Sequence, residues 1–182
     1  MKNKRIVFYY HHFGGLGHGM RVYSICKALK LECPNISLLV INSGMPQPEL
    51  DIDKYARVVN LPGFKAKSGL FSGLTAKGDL DAVFTKRRGI LAVIVNKLRP
   101  DIAILEHYPF GRDTLEEEIN IFIRLMLKIN TVIYSSVRDI VVSSNEKVLR
   151  SRLPYFRAVL AHAESSRQFI TGFGVPDFLR RK

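Results

Sequence analysis

The chain has 182 residues, of which 47% are hydrophobic, and its formal net charge at pH 7 is +12. This length predicts one domain with a full core, or one domain with an appendage, and the composition is typical of a soluble globular protein. The charge favours anionic partners, namely phosphorylated ligands, nucleic acid or an acidic membrane surface, without choosing among them. The two cysteines, Cys26 and Cys33, match neither a disulfide framework nor a metal motif, so a reducing cytoplasmic compartment is expected.

A glycine-rich loop follows the first predicted strand, Arg5–His11. Residues 13–18 read Phe-Gly-Gly-Leu-Gly-His, and a helical pattern then extends from His18 to Leu31. Such a loop lets backbone N–H groups approach a ligand, and the positive end of the helix faces an anion. The segment therefore predicts either a ligand-free tight turn or a phosphate-binding turn. The phosphate-binding residues would be Gly14, Gly15 and Gly17.

Two familiar glycine-rich loops do not fit this segment. A P-loop has Lys and then Ser or Thr after its last glycine, whereas Met20 and Arg21 follow Gly19 here. A dinucleotide fingerprint needs a glycine where Met20 stands, and a carboxylate after the second strand, which instead ends in Asn42 and Ser43. NAD binding is therefore not expected.

Apolar runs and helical patterns alternate along the rest of the chain. Further strands are predicted over 36–42, 56–60, 102–106, 131–137 and 158–162. Further helices are predicted over 80–98, capped by Asp79, over 114–129, with a capping box of Thr114 and Glu117, and over 144–152 and 165–173. Residues 61–78 are predicted to be a flexible basic loop, and residues 174–182 a tail or the start of an interdomain linker.

The uniformly apolar strands predict the fold class. Strands of this kind are typical of parallel sheets that helices cover on both faces. We therefore expect an α/β protein with a three-layer, doubly wound, mostly parallel Rossmann-like sheet of about six strands, in which residues 1–182 form a single domain. Ligands of such sheets bind at the carboxyl ends of the strands, where the strand order reverses.

Candidate site residues lie at these strand ends. His18 opens the first helix, whose positive end disfavours imidazolium, so the ring is expected either to accept a proton as a general base or to cap the helix. Glu106 and His107 follow the fourth strand and predict either a polar turn or groups that bind hydroxyls and orient His18. Arg138 and Asp139 follow the fifth strand and predict an internal pair or a phosphate contact.

The remaining histidines predict no metal centre. His11 and His12 end the first strand and are expected to belong to the scaffold. No motif spacing supports a zinc site built from His11, His12, His18 and His107, so neither a metal nor a cofactor is expected.

Taken in order, these motifs resemble those of predicted glycosyltransferases of the GT-B fold, near glycosyltransferase family 28. The resemblance rests on Gly-Gly-Leu-Gly-His, on Pro100-Asp101 before the strand that ends in Glu106-His107-Tyr108-Pro109-Phe110-Gly111, and on Arg138-Asp139-Ile140. Residues 153–162 also resemble the sixth-strand region of the family. The similarity covers most of the chain.

The resemblance implies a function for the domain. It implies the acceptor-binding, amino-terminal half of an inverting glycosyltransferase, with a nucleotide-diphosphate sugar as donor and the glycine loop near the donor diphosphate. The donor-binding half would then lie outside this sequence, on a longer chain or on a second subunit. A non-catalytic nucleic-acid-binding module and half of a nucleotide-sugar epimerase are the alternatives. Nucleic acid is not expected, because no RNA-binding aromatic signature or recognition-helix motif occurs.

The resemblance also implies a use for the positive charge. Acceptor loops of membrane-associated relatives touch lipid-linked substrates, and eight basic residues lie between Phe64 and Arg99. One interpretation of these basic residues is a peripheral contact with the anionic inner face of a membrane, together with a lipid-linked acceptor. The other interpretation is a solvated charged face. The basic residues are Lys65, Lys67, Lys77, Lys86, Arg87, Arg88, Lys97 and Arg99.

Overall fold

A computed structural model describes residues 3–12, 15–67, 70–73, 80–108, 115–136 and 168–171. Within these ranges the helices are α1 (Gly17–Glu32), α2 (Leu80–Leu98) and α3 (Glu116–Leu127). The strands are β1 (Arg5–Tyr10), β2 (Ser37–Asn42), β3 (Arg57–Asn60), β4 (Phe64–Lys67), β5 (Leu70–Gly73), β6 (Ile102–Glu106), β7 (Val132–Ser136) and β8 (Gln168–Thr171). Two 3₁₀ turns, Pro48–Leu50 and Ile52–Lys54, lie between β2 and β3. None of the helices in the described ranges is long and apolar enough to cross a membrane.

Six of the strands form one parallel sheet in the order β3-β2-β1-β6-β7-β8. The chain winds outward from β1 in one direction through β2 and β3, and then in the other direction through β6, β7 and β8. The strand order therefore reverses between β1 and β6, where Tyr9 pairs with Leu105. This arrangement confirms the predicted doubly wound Rossmann-like class, and it places the expected ligand crevice beyond the ends of β1 and β6.

Successive residues of β1 point to opposite faces of the sheet, and each face has its own core. Val7 and Tyr9 belong to a cluster with Leu91 of α2 and Phe122 of α3. Phe8 and Tyr10 belong to the other cluster, which includes Val22 and Cys26 of α1. Burying an apolar side chain of this size contributes roughly 1.5–3 kcal/mol, so both faces of the strand hold the helices in place.

The segment predicted to be a flexible loop contains a hairpin. Phe64–Lys67 and Leu70–Gly73 pair as antiparallel strands, so the prediction of a long loop over 61–78 is wrong for these residues. The sequence carries the signal in two short runs that are separated by only Ser68 and Gly69, a spacing typical of a tight hairpin. The glycines and prolines around it conceal that pattern.

The carboxy-terminal prediction also needs correction. Gln168–Thr171, within the predicted helix 165–173, is strand β8 and pairs in parallel with β7. Four residues are too few for helical and strand periodicity to be distinguished, and Phe169, Ile170 and Thr171 are all residue types that favour strands. The predicted helix 144–152, the strand 158–162 and the segment 174–182 lie outside the described residues.

The predicted capping box of α3 is not formed as expected. The helix begins at Glu116, its N-cap is Leu115 without a side-chain capping bond, and Thr114 lies outside the described residues. The Glu117 carboxylate instead accepts a hydrogen bond from Arg88 Nη1 at 3.2 Å. Asp79, the predicted cap of α2, also lies outside the described residues.

Candidate functional site

Polar side chains from α1, β6 and β7 meet where the strand order of the sheet reverses. His18 lies in the first turn of α1, Glu106 ends β6 and Ser136 ends β7. Glu106 pairs with Ser136 across the sheet, so both residues lie at the same edge. The fold thus brings together residues that are far apart in the sequence, and it places them at the edge where ligands of such sheets bind.

The central contact of the site joins His18 to Glu106. His18 Nδ1 lies 3.3 Å from Glu106 Oε1, and the side chains are 24% and 2% exposed, respectively. A carboxylate can only accept a hydrogen bond, so in this contact Nδ1 carries the hydrogen and the lone pair of the neutral ring is on Nε2. The buried carboxylate therefore orients a ring that is partly open to solvent.

Arg21 lies beside the other oxygen of the Glu106 carboxylate and is bonded to Ser136. Arg21 Nε donates a hydrogen bond to Ser136 Oγ at 2.8 Å and lies 3.5 Å from Glu106 Oε2. The arginine lies one helical turn after His18 on α1, so both residues reach the same strand end. Arg21 therefore places a positive charge next to the carboxylate that contacts His18.

His107 completes the cluster through its backbone and its ring. Its φ is +62°, a left-handed conformation that is uncommon for a residue with a side chain. Its N–H donates to Ser136 O at 2.7 Å, which fixes the turn after β6 to β7. The ring centroid of His107 lies 5.9 Å from that of His18. The predicted pair Glu106 and His107 is therefore found beside His18.

The glycine loop presents the amino-terminal end of α1 to this edge. Gly15 has a φ of +77°, and Gly17 is the first residue of the helix. The N-cap Leu16 makes no side-chain capping bond, and no acidic residue lies in the first turn. Since the first intrahelical bond is from Met20 N to Leu16 O, preceding amides can bind an anion. Gly14 lies outside the described residues.

His11 and His12 are built into the scaffold, as predicted. His11 Nδ1 contacts Ser43 O at 2.9 Å, and His12 Nε2 contacts Met45 O at 2.8 Å. Both side chains are buried and are bonded to the turn after β2.

A second polar cluster was not predicted from the sequence. Arg87 and Glu118 are fully buried, and the guanidinium donates to the two carboxylate oxygens at 2.6 and 2.9 Å. Tyr9 donates to Glu118 Oε1 at 2.7 Å and contacts Ser43 Oγ at 2.9 Å, and Arg87 also bonds Ser43 Oγ. Arg87 Nη1 donates to Pro62 O at 2.7 Å. The cluster ties α2 and α3 to β1 and to the segments after β2 and β3.

The environment of this cluster shifts two pKa values. Burial, and next the negative charge of Glu118, raise the pKa of Tyr9 well above its ordinary value. Burial alone would lower the pKa of Arg87, but the hydrogen bonds and charge of Glu118 outweigh it and raise that pKa. Arg87 is thus a permanent cation inside the protein. It was counted among the eight basic residues that could contact a membrane, but its burial makes that contact impossible.

Helical spacing could have revealed this pair. Arg87 lies four residues after Val83 and four before Leu91, on the inward face of α2. Glu118 lies four residues before Phe122 on the inward face of α3. A cation and a carboxylate that both occupy apolar positions of neighbouring helices predict a buried ion pair. Arg138 and Asp139, the remaining predicted site residues, lie outside the described residues.

No protein-family model matches the chain, and no curated protein is significantly similar to it in sequence. Two of the solved structures to which the chain is similar are glycosyltransferases. One is a UGT transferase from Siraitia grosvenorii in complex with UDP, with 17% identity and a TM-score of 0.43 over 75% of this chain and 28% of that one. The other is a glycosyltransferase from Streptomyces sp. SF2575, with 12% identity and a TM-score of 0.42 over 96% of this chain and 49% of that one. The chain thus matches half or less of the length of either structure.

Proposed function

We propose that this domain is the acceptor-binding half of an inverting glycosyltransferase that uses a nucleotide-diphosphate sugar as donor. The observation that carries the proposal is the contact between His18 and the buried Glu106 at the point where the strand order reverses. This geometry supports an oriented general base, since Nδ1 faces the carboxylate and Nε2 is left to accept a proton.

The proposed reaction is a direct displacement at the anomeric carbon. His18 Nε2 takes the proton of the acceptor hydroxyl, and the acceptor oxygen attacks the anomeric carbon from the face opposite the leaving group. The new glycosidic bond forms as the bond from the anomeric carbon to the phosphate oxygen breaks, and the nucleoside diphosphate leaves with that electron pair. One base suffices, because no covalent sugar intermediate is formed.

Two features support a diphosphate in this reaction. The uncapped amino-terminal end of α1 offers N–H groups and a partial positive charge to an anion. Arg21 adds a partly exposed cation one turn along the same helix. We propose that Gly15 and Gly17 approach the leaving diphosphate, and that a donor-binding half on the same chain or on a partner subunit holds the nucleotide. Three further parts of this proposal rest on the resemblance of the motifs. They are the relation to family 28, a lipid-linked acceptor, and phosphate contacts by Arg138 and Asp139.

The test is His18→Ala in the protein assembled with its donor-binding half. Loss of a general base lowers turnover by on the order of 10²–10⁴, with circular dichroism and the unfolding temperature close to wild type. Lys27→Ala, an exposed change on the same helix, is the matched control and leaves turnover unchanged. Unchanged turnover of the folded His18→Ala protein would remove His18 from the mechanism.

A further inference from the structure

A cavity of about 280 Å³ lies beside the glycine loop, near the carboxyl ends of β1, β2 and β3. Tyr10 and Val58, from the sheet face that carries α1, form part of its wall. The two 3₁₀ turns border it and are anchored by Leu50 and Ile52, which are both buried in that core. Because each 3₁₀ turn has one residue buried in the core, the turns hold this border of the cavity in place.

The cavity is connected to the site of His18 through one side chain. Gln47 lines the cavity, and its Nε2 donates a hydrogen bond to Gly15 O at 2.9 Å. Gln47 and Leu50 also pack so closely against Gly19 that a Cβ atom there would collide with both. A ligand in the cavity therefore lies against the same loop that positions the start of α1.

The wall of the cavity combines apolar surfaces with polar groups that converge on it. The half-buried Val58 and the exposed Pro46 and Pro48 provide apolar area, and the almost completely buried Tyr10 and Ile52 line the cavity as well. Asn60 and Gln47 contribute carboxamides. A sugar ring has matching properties, because its C–H faces are apolar and hydroxyl groups surround it. Cavities that combine apolar walls with a few oriented polar groups are typical of small-molecule sites.

The polar groups are held in defined orientations. Asn42 Nδ2 donates to Asn60 Oδ1 at 3.0 Å, so the Asn60 amide is fixed with its oxygen toward Asn42. Within the part of the chain that the structure describes, the NH₂ group of Asn60 makes no hydrogen bond, and it remains able to donate to a ligand. Tyr10 OH donates to Gln47 Oε1 at 3.3 Å, and burial, with a further contribution from Glu49, raises the Tyr10 pKa to about 12. Tyr10 is therefore a neutral hydroxyl at physiological pH.

The border of the cavity is acidic, although the whole chain is strongly basic. Asp51 and Asp53 both line it, and Asp51 pairs with Lys54 at 2.6 Å. Asp51 has a φ of +49°, a left-handed conformation held between the buried residues Leu50 and Ile52. Lys54 offsets the charge of Asp51, whereas Asp53 forms no ion pair within the described part of the chain. The Asp53 carboxylate can accept hydroxyl or ammonium hydrogens, and it repels a second carboxylate or a phosphate.

We propose that this cavity binds one neutral or amine-bearing sugar unit and rejects anionic sugars. Assigning that unit to the acceptor of the transfer reaction rests on the proposed function. Binding itself does not, because it requires neither turnover nor a donor. The two proposals can therefore fail separately.

The experiment is a titration of the isotope-labelled chain, observed through the side-chain amide signals of Asn42, Gln47 and Asn60. The probes are methyl glucoside, glucosamine and glucuronate, which share one ring and differ in charge. We expect saturable shifts with dissociation constants on the order of 1–10 mM for the first two probes, and binding at least about fivefold weaker for glucuronate. Asn60→Ala weakens binding by about fivefold through loss of the donated hydrogen bond. Asn35→Ala, just before the amino end of β2 and therefore far from Asn42 and Asn60 at the carboxyl ends, is the control and changes nothing.

Several outcomes would overturn the proposal. They are the absence of saturable shifts at these amides for all three sugars, equal binding of glucuronate, and wild-type binding by a folded Asn60→Ala protein. If Asn60→Ala fails to fold, Asp53→Asn replaces it, and that exposed change must reduce the discrimination against glucuronate by at least about threefold. Sugar binding without an effect of His18→Ala on turnover would overturn the proposed base and leave the cavity assignment intact.

Discussion

Among the residues that the structure describes, Glu106 and Glu118 are carboxylates that are almost completely buried, and their surroundings differ. Glu118 is enclosed by Arg87 and Tyr9, with contacts of 2.6 to 2.9 Å and with neither charged side chain exposed. Glu106 is held by His18 and Arg21 at 3.3 and 3.5 Å, and these partners are 24% and 30% exposed. The closed cluster fixes the fold, and the open cluster leaves one face of an oriented imidazole accessible to a ligand.

The difference follows from the elements that supply the charges. Arg87 and Glu118 come from inward faces of α2 and α3, so apolar neighbours surround them. His18 and Arg21 come from the first two turns of α1, where a helix end meets the edge of the sheet. An ion pair inside a core costs desolvation that its hydrogen bonds must offset, whereas a pair at a sheet edge can exchange its partners for a ligand.

Removal of Glu118 is expected to have the largest effect on stability. Glu118→Ala leaves the Arg87 guanidinium buried without its counter-charge, and we expect a loss of about 3–5 kcal/mol in the free energy of unfolding. Glu117→Ala, one residue earlier on α3, removes only a surface pair and costs less than about 0.5 kcal/mol. Denaturant titration of both variants measures the difference. Equal losses would contradict the contrast between buried and exposed positions.

Replacement of both partners tests whether the closed pair acts as a unit. The double variant Arg87→Met with Glu118→Leu removes both charges and fills similar space, and we expect it to be at least about 1 kcal/mol more stable than Glu118→Ala alone. Chemical unfolding of Arg87→Met, of Glu118→Leu and of the double variant gives the coupling energy between the two side chains. Losses that simply add would show that Arg87 and Glu118 contribute independently.

These clusters also show what the sequence could predict. The apolar strands and the glycine loop predicted the parallel sheet, and the strand-end rule predicted the edge where His18 and Glu106 meet. The burial of Arg87 was not predicted from the sequence, because a count of basic residues says nothing about which helix face each one occupies. The hairpin and β8 were not predicted either, because strands of four residues carry too little periodicity. Whether such short segments form strands depends on the strands with which they pair.

Changing the open carboxylate is expected to affect activity more than stability. Glu106→Gln preserves the shape of the side chain but weakens the orientation of His18, and we expect turnover of the assembled protein to fall by at least about tenfold. The free energy of unfolding should change by about 1 kcal/mol. Glu32→Gln, an exposed change at the end of α1, is the control for both assays. A stability loss as large as that of Glu118→Ala would place Glu106 in the scaffold instead.

The smallest expected effect concerns alkaline pH and the closed cluster. Because the folded-state pKa of Tyr9 is raised, the folded protein retains a proton that the unfolded chain loses. This contribution to stability is therefore fully present below the unfolded-state pKa of about 10 and declines as the pH rises above it. Tyr9→Phe should flatten the alkaline decline in the unfolding free energy relative to wild type. Parallel curves for the two proteins between neutral and alkaline pH would contradict this assignment.

The most direct test of the account is the tautomer of His18, because it requires neither donor nor acceptor. Long-range proton–nitrogen correlation spectra of the ¹⁵N-labelled protein, recorded where the imidazole is neutral, identify which ring nitrogen carries the hydrogen. If Glu106 orients His18, the wild type carries hydrogen on Nδ1, directed at Glu106, and Glu106→Leu shifts the population toward hydrogen on Nε2. Hydrogen on Nε2 in the wild type, or a tautomer that does not respond to Glu106→Leu, would contradict it.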